Sequence, residues 1–210
     1  MKLIVISNPI NLNNEHEILC SLFEAGLEYF HLRKPDLSKE ELEQYILGIS
    51  IQFRNRVVLH SHHQLALEYG LKGVHYSKRN SFNSMNKQFE NLHQSISVHS
   101  LEEIKSVSAN FQYAFLSPVF DSISKQDYKS TFDKIKLKTF LHQTDTKIEV
   151  IALGGINEQN IPLAIDLGFN GIATLGAIWM SSNPVKKYKH LLKAYTPVRV
   201  QNSAKGPFIL

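Results

Sequence analysis

Polar residues with catalytic chemistry stand at the ends of short apolar runs in this sequence. They are His31, Arg33, His60, His75, Ser97, His99 and Ser117. Each one could simply cap a loop or bind a backbone carbonyl. Histidine, however, titrates near neutral pH and can move protons or bind anions. Four of the ten histidines at such positions therefore predict a site that handles protons or anions.

Glycines follow the last two apolar runs. Gly154 and Gly155 come after residues 149–153, and Gly176 comes directly after Leu175. Glycine lets the backbone approach a ligand closely, and amides at the start of a helix attract anions. We therefore predict a phosphate site at Gly155, Leu175 and Gly176. The alternative is that these glycines only form tight turns.

A hydroxyl-rich stretch lies between two of the runs. Ser122, Ser124 and Lys125 place two hydroxyls and an ammonium close together. Such donors could form a second anion site, and a polar loop of this size could close over a ligand. The alternative is an ordinary solvated loop.

Eight apolar runs supply the elements that must position these residues. They are residues 3–7, 29–33, 57–60, 73–76, 96–99, 113–117, 149–153 and 171–175. Short runs without strict alternation are typical of parallel strands buried on both faces. Helix signals lie between them, such as the capping boxes that begin at Ser38 and Ser100 and the helix start at Asn183-Pro184.

This alternation predicts an α/β protein, a single-domain (β/α)8 TIM barrel. A doubly wound open sheet is the alternative. We expect the barrel to occupy residues 1–196, with a C-terminal tail, 197–210, beyond the last helix. The active site of such a barrel lies at the carboxyl ends of its strands, where the polar residues named above fall.

Composition excludes several classes of protein. The 210 residues are 43% hydrophobic and 20% charged, which suits one globular domain and excludes a disordered chain. A single cysteine, Cys20, excludes a disulfide framework and a cysteine-rich zinc site. The net charge of +4 is spread along the chain, which argues against nucleic-acid binding. No apolar stretch approaches the roughly 20 residues of a membrane span, so we expect a cytoplasmic protein with no membrane partner.

Several of these motifs resemble the thiamine-phosphate synthase/TenI superfamily of phosphate-binding barrels. Residues 118–125, with Pro118-Val119-Phe120 and Ser122-Ile123-Ser124-Lys125, are similar to that family's P-[VI]-F-x-T-x-T-K loop. Gly73-Val74-His75, Ser97-Val98-His99-Ser100 and Ala152-Leu153-Gly154-Gly155-Ile156 add to the resemblance, which runs from Leu3 to about Ile178. It implies a TIM barrel that acts in thiamine biosynthesis on small phosphorylated thiazole and pyrimidine substrates, and it suggests a homo-oligomer.

The resemblance implies a reaction as well as a fold. Thiamine-phosphate synthases join an aminopyrimidine pyrophosphate to a thiazole phosphate and release pyrophosphate, with Mg²⁺ and basic residues neutralising the leaving group. No organic cofactor is implied. By position, the family's catalytic arginine and serine fall at Arg33 and Ser97. Its pyrophosphate site falls at Ser122, Ser124 and Lys125, together with Arg33, and its thiazole phosphate site falls at Gly155, Leu175 and Gly176.

The sequence departs from the family around strands two to four. The Gln, Glu and Lys of the family's Q-x-R-E-K motif are replaced by His31, Lys34 and Pro35.

The two aspartates that hold Mg²⁺ are replaced by Ser61 and Asn80. Mg²⁺ rarely binds proteins without a carboxylate, so Mg²⁺ is doubtful here unless Asp36 or Asp121 supplies one. Fixed cations, namely Lys34, Lys78 and Arg79, would then substitute for the metal, or pyrophosphate chemistry has been lost.

Two other functions remain open on these residues. A TenI-like thiazole tautomerase needs a phosphate site and an acid/base residue but no metal. The histidine of that branch falls at Pro118 here, so His31 or His60, with a pKa near neutrality, would have to act as the base. The second alternative is a non-catalytic protein that binds thiazole phosphate or thiamine phosphate.

Overall fold

Eight parallel strands close into a barrel in which each strand pairs with its neighbours in chain order and β8 pairs with β1. The computed structural model describes residues 2–77, 87–107, 109–121 and 132–203. The strands are β1 Lys2–Ile6, β2 Tyr29–Leu32, β3 Val57–Leu59, β4 Gly73–Tyr76, β5 His93–Val98, β6 Tyr113–Leu116, β7 Glu149–Leu153 and β8 Gly171–Thr174. All eight predicted strands are present, and the open-sheet alternative is excluded by the pairing of β8 with β1.

Helices cover the outside of the barrel. They are α1 Glu15–Glu24, α2 Lys39–Leu47, α3 Ile51–Arg54, α4 Gln64–Glu68, α5 Leu101–Ser106, α6 Lys134–Gln143, α7 Ile161–Asp166, α8 Gly176–Trp179 and α9 Pro184–Ser203. A 3-10 turn, Lys87–Phe89, precedes β5. The predicted helices therefore form where the sequence places them.

The predicted helix caps are confirmed in detail. Ser38 accepts a hydrogen bond from the Glu41 amide, and the Glu41 carboxylate accepts one from the Ser38 amide, which completes a capping box. The second box is half formed, because Ser100 accepts from the Glu103 amide while the Glu103 carboxylate accepts from His99 instead. Asn183 caps α9 by accepting from the Lys186 amide.

Two separate apolar layers hold the barrel together. Alternate residues of the strands point inward, so that Ile4, Ile6, Tyr113, Phe115 and Ile151 form a cluster inside the barrel. Other apolar strand residues, such as Val5 and Leu59, pack outward against the helices in one large buried core. Because the interior is filled with side chains, a ligand can enter only at the ends of the strands.

The last helix is longer than the sequence predicted. It continues from Pro184 to Ser203 and therefore crosses the expected boundary between residues 196 and 197. Proline lacks an amide donor, which weakens a helix but does not always end it. Within the described residues, no helix combines the length and the apolar character that a membrane crossing requires.

Candidate functional site

One cavity of about 910 Å³ opens at the carboxyl ends of the strands. The predicted site residues Arg33, His60, Ser97, Gly155, Leu175 and Gly176 all line it. His31 lies directly below, fully buried inside the barrel. The predicted residues Ser122, Ser124, Lys125 and Asn80, together with Lys78 and Arg79, lie outside the described residues. The structure thus brings together the predicted catalytic and phosphate-binding residues that it describes.

Three histidines from consecutive strands meet at the base of the cavity. His31 lies in β2, His60 directly follows β3, and His75 lies in β4. The His31 Nδ1 and His60 Nε2 atoms are 2.9 Å apart, a hydrogen bond whose donor depends on the tautomers. The ring of His75 stacks on that of His60, with 4.2 Å between their centroids. These three side chains form what we call the histidine cluster.

Neighbouring hydroxyls orient the buried members of the cluster. The Tyr113 hydroxyl is 2.7 Å from His31 Nε2. His75 is held on both sides, because its Nδ1 is 2.8 Å from Ser95 Oγ and its Nε2 is 2.8 Å from Ser97 Oγ. The predicted site residue Ser97 therefore contacts a histidine directly.

Burial keeps the cluster uncharged. It lowers the pKa of His31 and of His60 well below the usual value, and a positive charge on His75 would lower both further. The pKa of His75 falls to about 3, mainly through burial and then through His63 and Arg33. The expectation that His31 and His60 titrate near neutrality is therefore wrong, because burial disfavours the charged form of both rings.

Lys34 does not offer a free cation to a substrate. Its ammonium is buried and lies 2.5 Å from the Glu15 carboxylate, and it also donates to the Ile10 carbonyl at 3.0 Å. Burial lowers the pKa of Lys34, whereas the hydrogen bond and charge of Glu15 raise it. The prediction that Lys34 substitutes for a metal ion is therefore wrong. The positive charge of Lys34 is already balanced by the Glu15 carboxylate within the fold.

Arg33 keeps its side chain exposed at the rim of the cavity. Its backbone is fixed, because the Arg33 amide donates to Ser7 Oγ at 2.8 Å and Ser7 Oγ donates back to the Arg33 carbonyl at 3.0 Å. A guanidinium on a fixed backbone can bind a phosphate oxygen pair through two parallel hydrogen bonds.

The glycines after β7 are required by close packing of two loops. Gly154 and Gly155 both have positive φ, +97° and +65°. The Val119 and Phe120 amides donate to the Leu153 and Gly154 carbonyls. A Cβ atom on Gly155 would lie 2.2 Å from the Asp121 carbonyl oxygen. The turn interpretation is thus correct for these glycines, and the same conformation also brings Gly155 to the wall of the cavity.

The start of α8 presents backbone donors to the same part of the cavity. Ile178 is the first residue of this short helix whose amide donates to a backbone carbonyl, that of Leu175. Gly176 and Ala177 precede it and line the cavity, and the first amides of a helix have no acceptor within it. The Trp179 indole donates to the Ile6 carbonyl at 2.6 Å, which fixes α8 against β1. Backbone geometry here suits a phosphate group.

The cavity does not suit Mg²⁺. No aspartate or glutamate side chain lines it among the residues that the structure describes, and Ser61 offers only a hydroxyl at one family metal position. Mg²⁺ requires oxygen ligands in near-octahedral geometry and is usually held by one or two carboxylates. Asp36 and Asp121 do not line the cavity. We therefore assign no catalytic step to this ion.

Sequence reasoning missed two contributors to the site, Ser95 and Tyr113, and it identified His75 only as one of the strand-end histidines. The signal that could have found them is the alternation of side chains along a strand. Ser95 and Ser97, like Tyr113 and Phe115, stand two apart and so share the inner face of the barrel.

Comparisons with known proteins agree with this architecture. A model of the thiamine monophosphate synthase family matches residues 3–178. The thiamine-phosphate synthase of Staphylococcus epidermidis is 26% identical over 196 residues, covering 86% of this chain and 88% of that protein. The crystal structure of thiamine phosphate pyrophosphorylase from Bacteroides thetaiotaomicron is 31% identical, with a TM-score of 0.74 over 99% of this chain and 100% of that one.

A further solved structure supports the fold alone. Thiamine phosphate pyrophosphorylase from Pyrococcus furiosus has a TM-score of 0.79 at 23% identity, covering 94% of this chain and 96% of that one. The matched region extends from β1 into α8 and contains the predicted site residues that line the cavity. This chain belongs to the thiamine monophosphate synthase family.

Proposed function

We propose that this chain is a thiamine-phosphate synthase-like transferase. It joins the methylene carbon of an aminopyrimidine pyrophosphate to the ring nitrogen of a thiazole phosphate and releases pyrophosphate. The observation that carries the proposal is the composition of one cavity, lined by glycines after β7 and β8, by Arg33 and His60 after β2 and β3, and by Ser97 in β5. Membership of the synthase family supports the same reaction.

The thiazole phosphate is assigned to the β7–β8 edge. Gly155 and the first amides of α8 at Gly176 and Ala177 line this edge. Backbone donors at the start of a helix bind phosphate without a charged side chain, and this edge is the usual phosphate site of the fold. Leu175 lines the cavity beside them and offers apolar surface to the thiazole ring.

The pyrophosphate is assigned to Arg33 with Ser122, Ser124 and Lys125. Arg33 is exposed at the rim and free of any salt bridge in the described residues. When the carbon–oxygen bond to pyrophosphate breaks, the electron pair leaves with the oxygen and the methylene carbon becomes positive. Arg33 and Lys125 would stabilise the leaving group. The thiazole nitrogen then donates its lone pair to the carbon, so the step needs no oxidant or reductant.

The histidine cluster contributes an uncharged cavity floor to this reaction. With pKa values below neutrality, His31, His60 and His75 carry no charge at pH 7. They therefore do not repel the positive charge that develops on the pyrimidine. The ring of Phe115, which also lines the cavity, would face the same charge with its electron-rich surface.

A direct assay tests the transferase proposal. The purified chain is mixed with both substrates, and thiamine phosphate and pyrophosphate are quantified with Mg²⁺ present and with EDTA instead. We expect both products in equal amounts, and we expect turnover to persist in EDTA because the fixed cations Lys78 and Arg79, with Arg33 and Lys125, replace the metal. Turnover only with Mg²⁺ would overturn the role given to these cations, and no product in either condition would overturn the transferase.

A thiazole tautomerase is the second candidate. The observation that favours it is the neutral ring of His60, which lines the cavity, is hydrogen-bonded to His31 and can accept a proton as a weak base without a metal. The test is aromatisation of the unsaturated thiazole phosphate carboxylate by wild type, His31→Ala and His60→Ala. No activity in wild type would reject the tautomerase. Binding of thiazole phosphate without turnover in either assay would identify a non-catalytic binding protein.

A further inference from the structure

The histidine cluster places one nitrogen from each of three imidazoles close together. A ring nitrogen of His31, of His60 and of His75 all lie within 4.8 Å of one another. They come from β2, β3 and β4, which are adjacent in the barrel, so the strand register fixes their spacing. His31 and His75 are at most 1% exposed. A rigid framework therefore holds three neutral nitrogen donors at the base of an open cavity.

Hydroxyl groups hold ring nitrogens of two of the three histidines. His31 directs Nδ1 at His60, while its Nε2 is held by the Tyr113 hydroxyl at 2.7 Å. His75 directs Nε2 toward Ser97, while its Nδ1 is held by Ser95 Oγ at 2.8 Å. A metal-binding histidine usually hydrogen-bonds through its other nitrogen, which fixes the tautomer and the ring direction.

The chemistry of these donors selects the kind of ion. Imidazole nitrogen is a good ligand for Zn²⁺ and a poor one for Mg²⁺, which prefers carboxylate and water oxygens. The cluster supplies three protein ligands, and His60 and His75 border the cavity, so a fourth position would open toward it. Three histidines with one open position is a recognised catalytic zinc arrangement.

We propose that His31, His60 and His75 form a site for one Zn²⁺ ion at the base of the cavity. Tetrahedral coordination at a Zn–N distance of about 2.0–2.1 Å places ligand nitrogens about 3.4 Å apart. The His31–His60 separation of 2.9 Å is already close to that value, and the ion would take the place of their hydrogen bond while the shared proton moves to the other nitrogen of its own ring. His75 would turn away from Ser97 Oγ to complete the site. The metal-bound cluster is an alternative state to the uncharged cavity floor of the proposed transferase, and its test needs no transferase activity.

Metal titration of the full, untagged chain tests the site without any substrate. The protein is stripped with EDTA, dialysed, and titrated with Co²⁺, whose visible absorption reports coordination number, and Zn²⁺ is then added in competition. We expect one equivalent of Co²⁺ with a tetrahedral-type spectrum, displaced by one equivalent of Zn²⁺. Mg²⁺ should not displace it. Absence of the Co²⁺ band, or a band that Zn²⁺ does not remove, would overturn the proposal.

Two variants locate the ion. His60→Ala removes a ligand that is only half-buried, and we expect binding to weaken by more than about 100-fold. His99→Ala is the matched control, since His99 lines the same cavity outside the cluster, and it should bind as wild type does. Equal weakening by both variants would place the ion elsewhere and overturn the site.

A third variant remains informative if His60→Ala does not fold. Tyr113→Phe removes only the hydroxyl that orients His31, so Tyr113 is tested as a positioning residue. We expect Zn²⁺ affinity to fall by about 10- to 100-fold with the Co²⁺ spectrum altered in shape, as when other outer partners of zinc-bound histidines are removed. Unchanged affinity in Tyr113→Phe would contradict the proposed ligand orientation.

Discussion

One edge of the cavity is formed by backbone groups and the other by side chains. The β7–β8 edge is made of backbone, with Gly155, Gly176 and the amides of α8. The β2–β4 edge is made of side chains, with the histidine cluster at its base and Arg33 at its rim. The sequence motifs resemble the family at the first edge, whereas at the second edge the resemblance implies other residues where His31, Lys34 and Ser61 stand.

This difference shows which parts of a site depend on the fold. Backbone donors are supplied by the loop conformation, so almost any change that preserves the fold preserves them. Side-chain ligands can be exchanged one at a time, provided that each buried charge or polar atom keeps a partner. The buried Lys34–Glu15 pair is such a case, because the ammonium that replaces a family glutamate is matched by a carboxylate from α1.

Breaking the Lys34–Glu15 pair should give the largest effect on stability. Lys34→Met leaves the Glu15 carboxylate buried without its partner, and we expect unfolding to become easier by about 3–5 kcal/mol. Chemical denaturation measures the change. Lys138→Met, which breaks the exposed Lys138–Asp166 pair, is the control and should cost less than about 1 kcal/mol. A similar small loss in both variants would show that the β2 edge does not depend on this pair.

Gly155→Ala should be the next most damaging substitution. Positive φ costs a non-glycine residue about 1–2 kcal/mol, and its Cβ would also collide with the Asp121 carbonyl, so we expect a loss of about 3 kcal/mol. Gly70→Ala is matched in backbone, with φ +62° against +65°, but its Cβ meets nothing within 4 Å. It should lose only about 1 kcal/mol. Equal losses in thermal or urea unfolding would mean that loop packing does not shape the phosphate edge.

Arg33→Ala should leave stability unchanged and weaken anion binding. Because the side chain is exposed, the free energy of unfolding should move by less than about 0.5 kcal/mol. Calorimetry with inorganic pyrophosphate should show affinity reduced by about 10- to 100-fold, as for a lost charge-assisted hydrogen bond. Lys39→Ala, an exposed cation outside the cavity, is the control. If both variants bind pyrophosphate as wild type does, Arg33 is not part of the anion site.

The fold was predictable because its signals are local. Each strand is a short apolar run, and the caps at Ser38, Ser100 and Asn183 depend on residues three apart. The sequence predicts a tail from residue 197, whereas α9 continues to Ser203.

The site was predictable only in part, because its contacts join distant residues. Lys34 meets Glu15, 19 positions earlier, and His31 meets Tyr113, 82 positions later. No local pattern reveals these partners. The lowered pKa values of His31 and His75 follow from their burial in the fold, which cannot be read from the amino-acid composition. The glycines at the β7–β8 edge were predictable because the backbone conformation and close approach required there select glycine. The residue type itself therefore indicates that requirement.

A crystal structure with bound thiazole phosphate tests the central claim most directly. The account predicts that phosphate oxygens lie within hydrogen-bond distance of the amides of Gly155, Gly176 and Ala177, with the thiazole ring directed toward the centre of the cavity. A phosphate held instead by Arg33 or the histidine cluster, with the β7–β8 edge free of ligand, would contradict it.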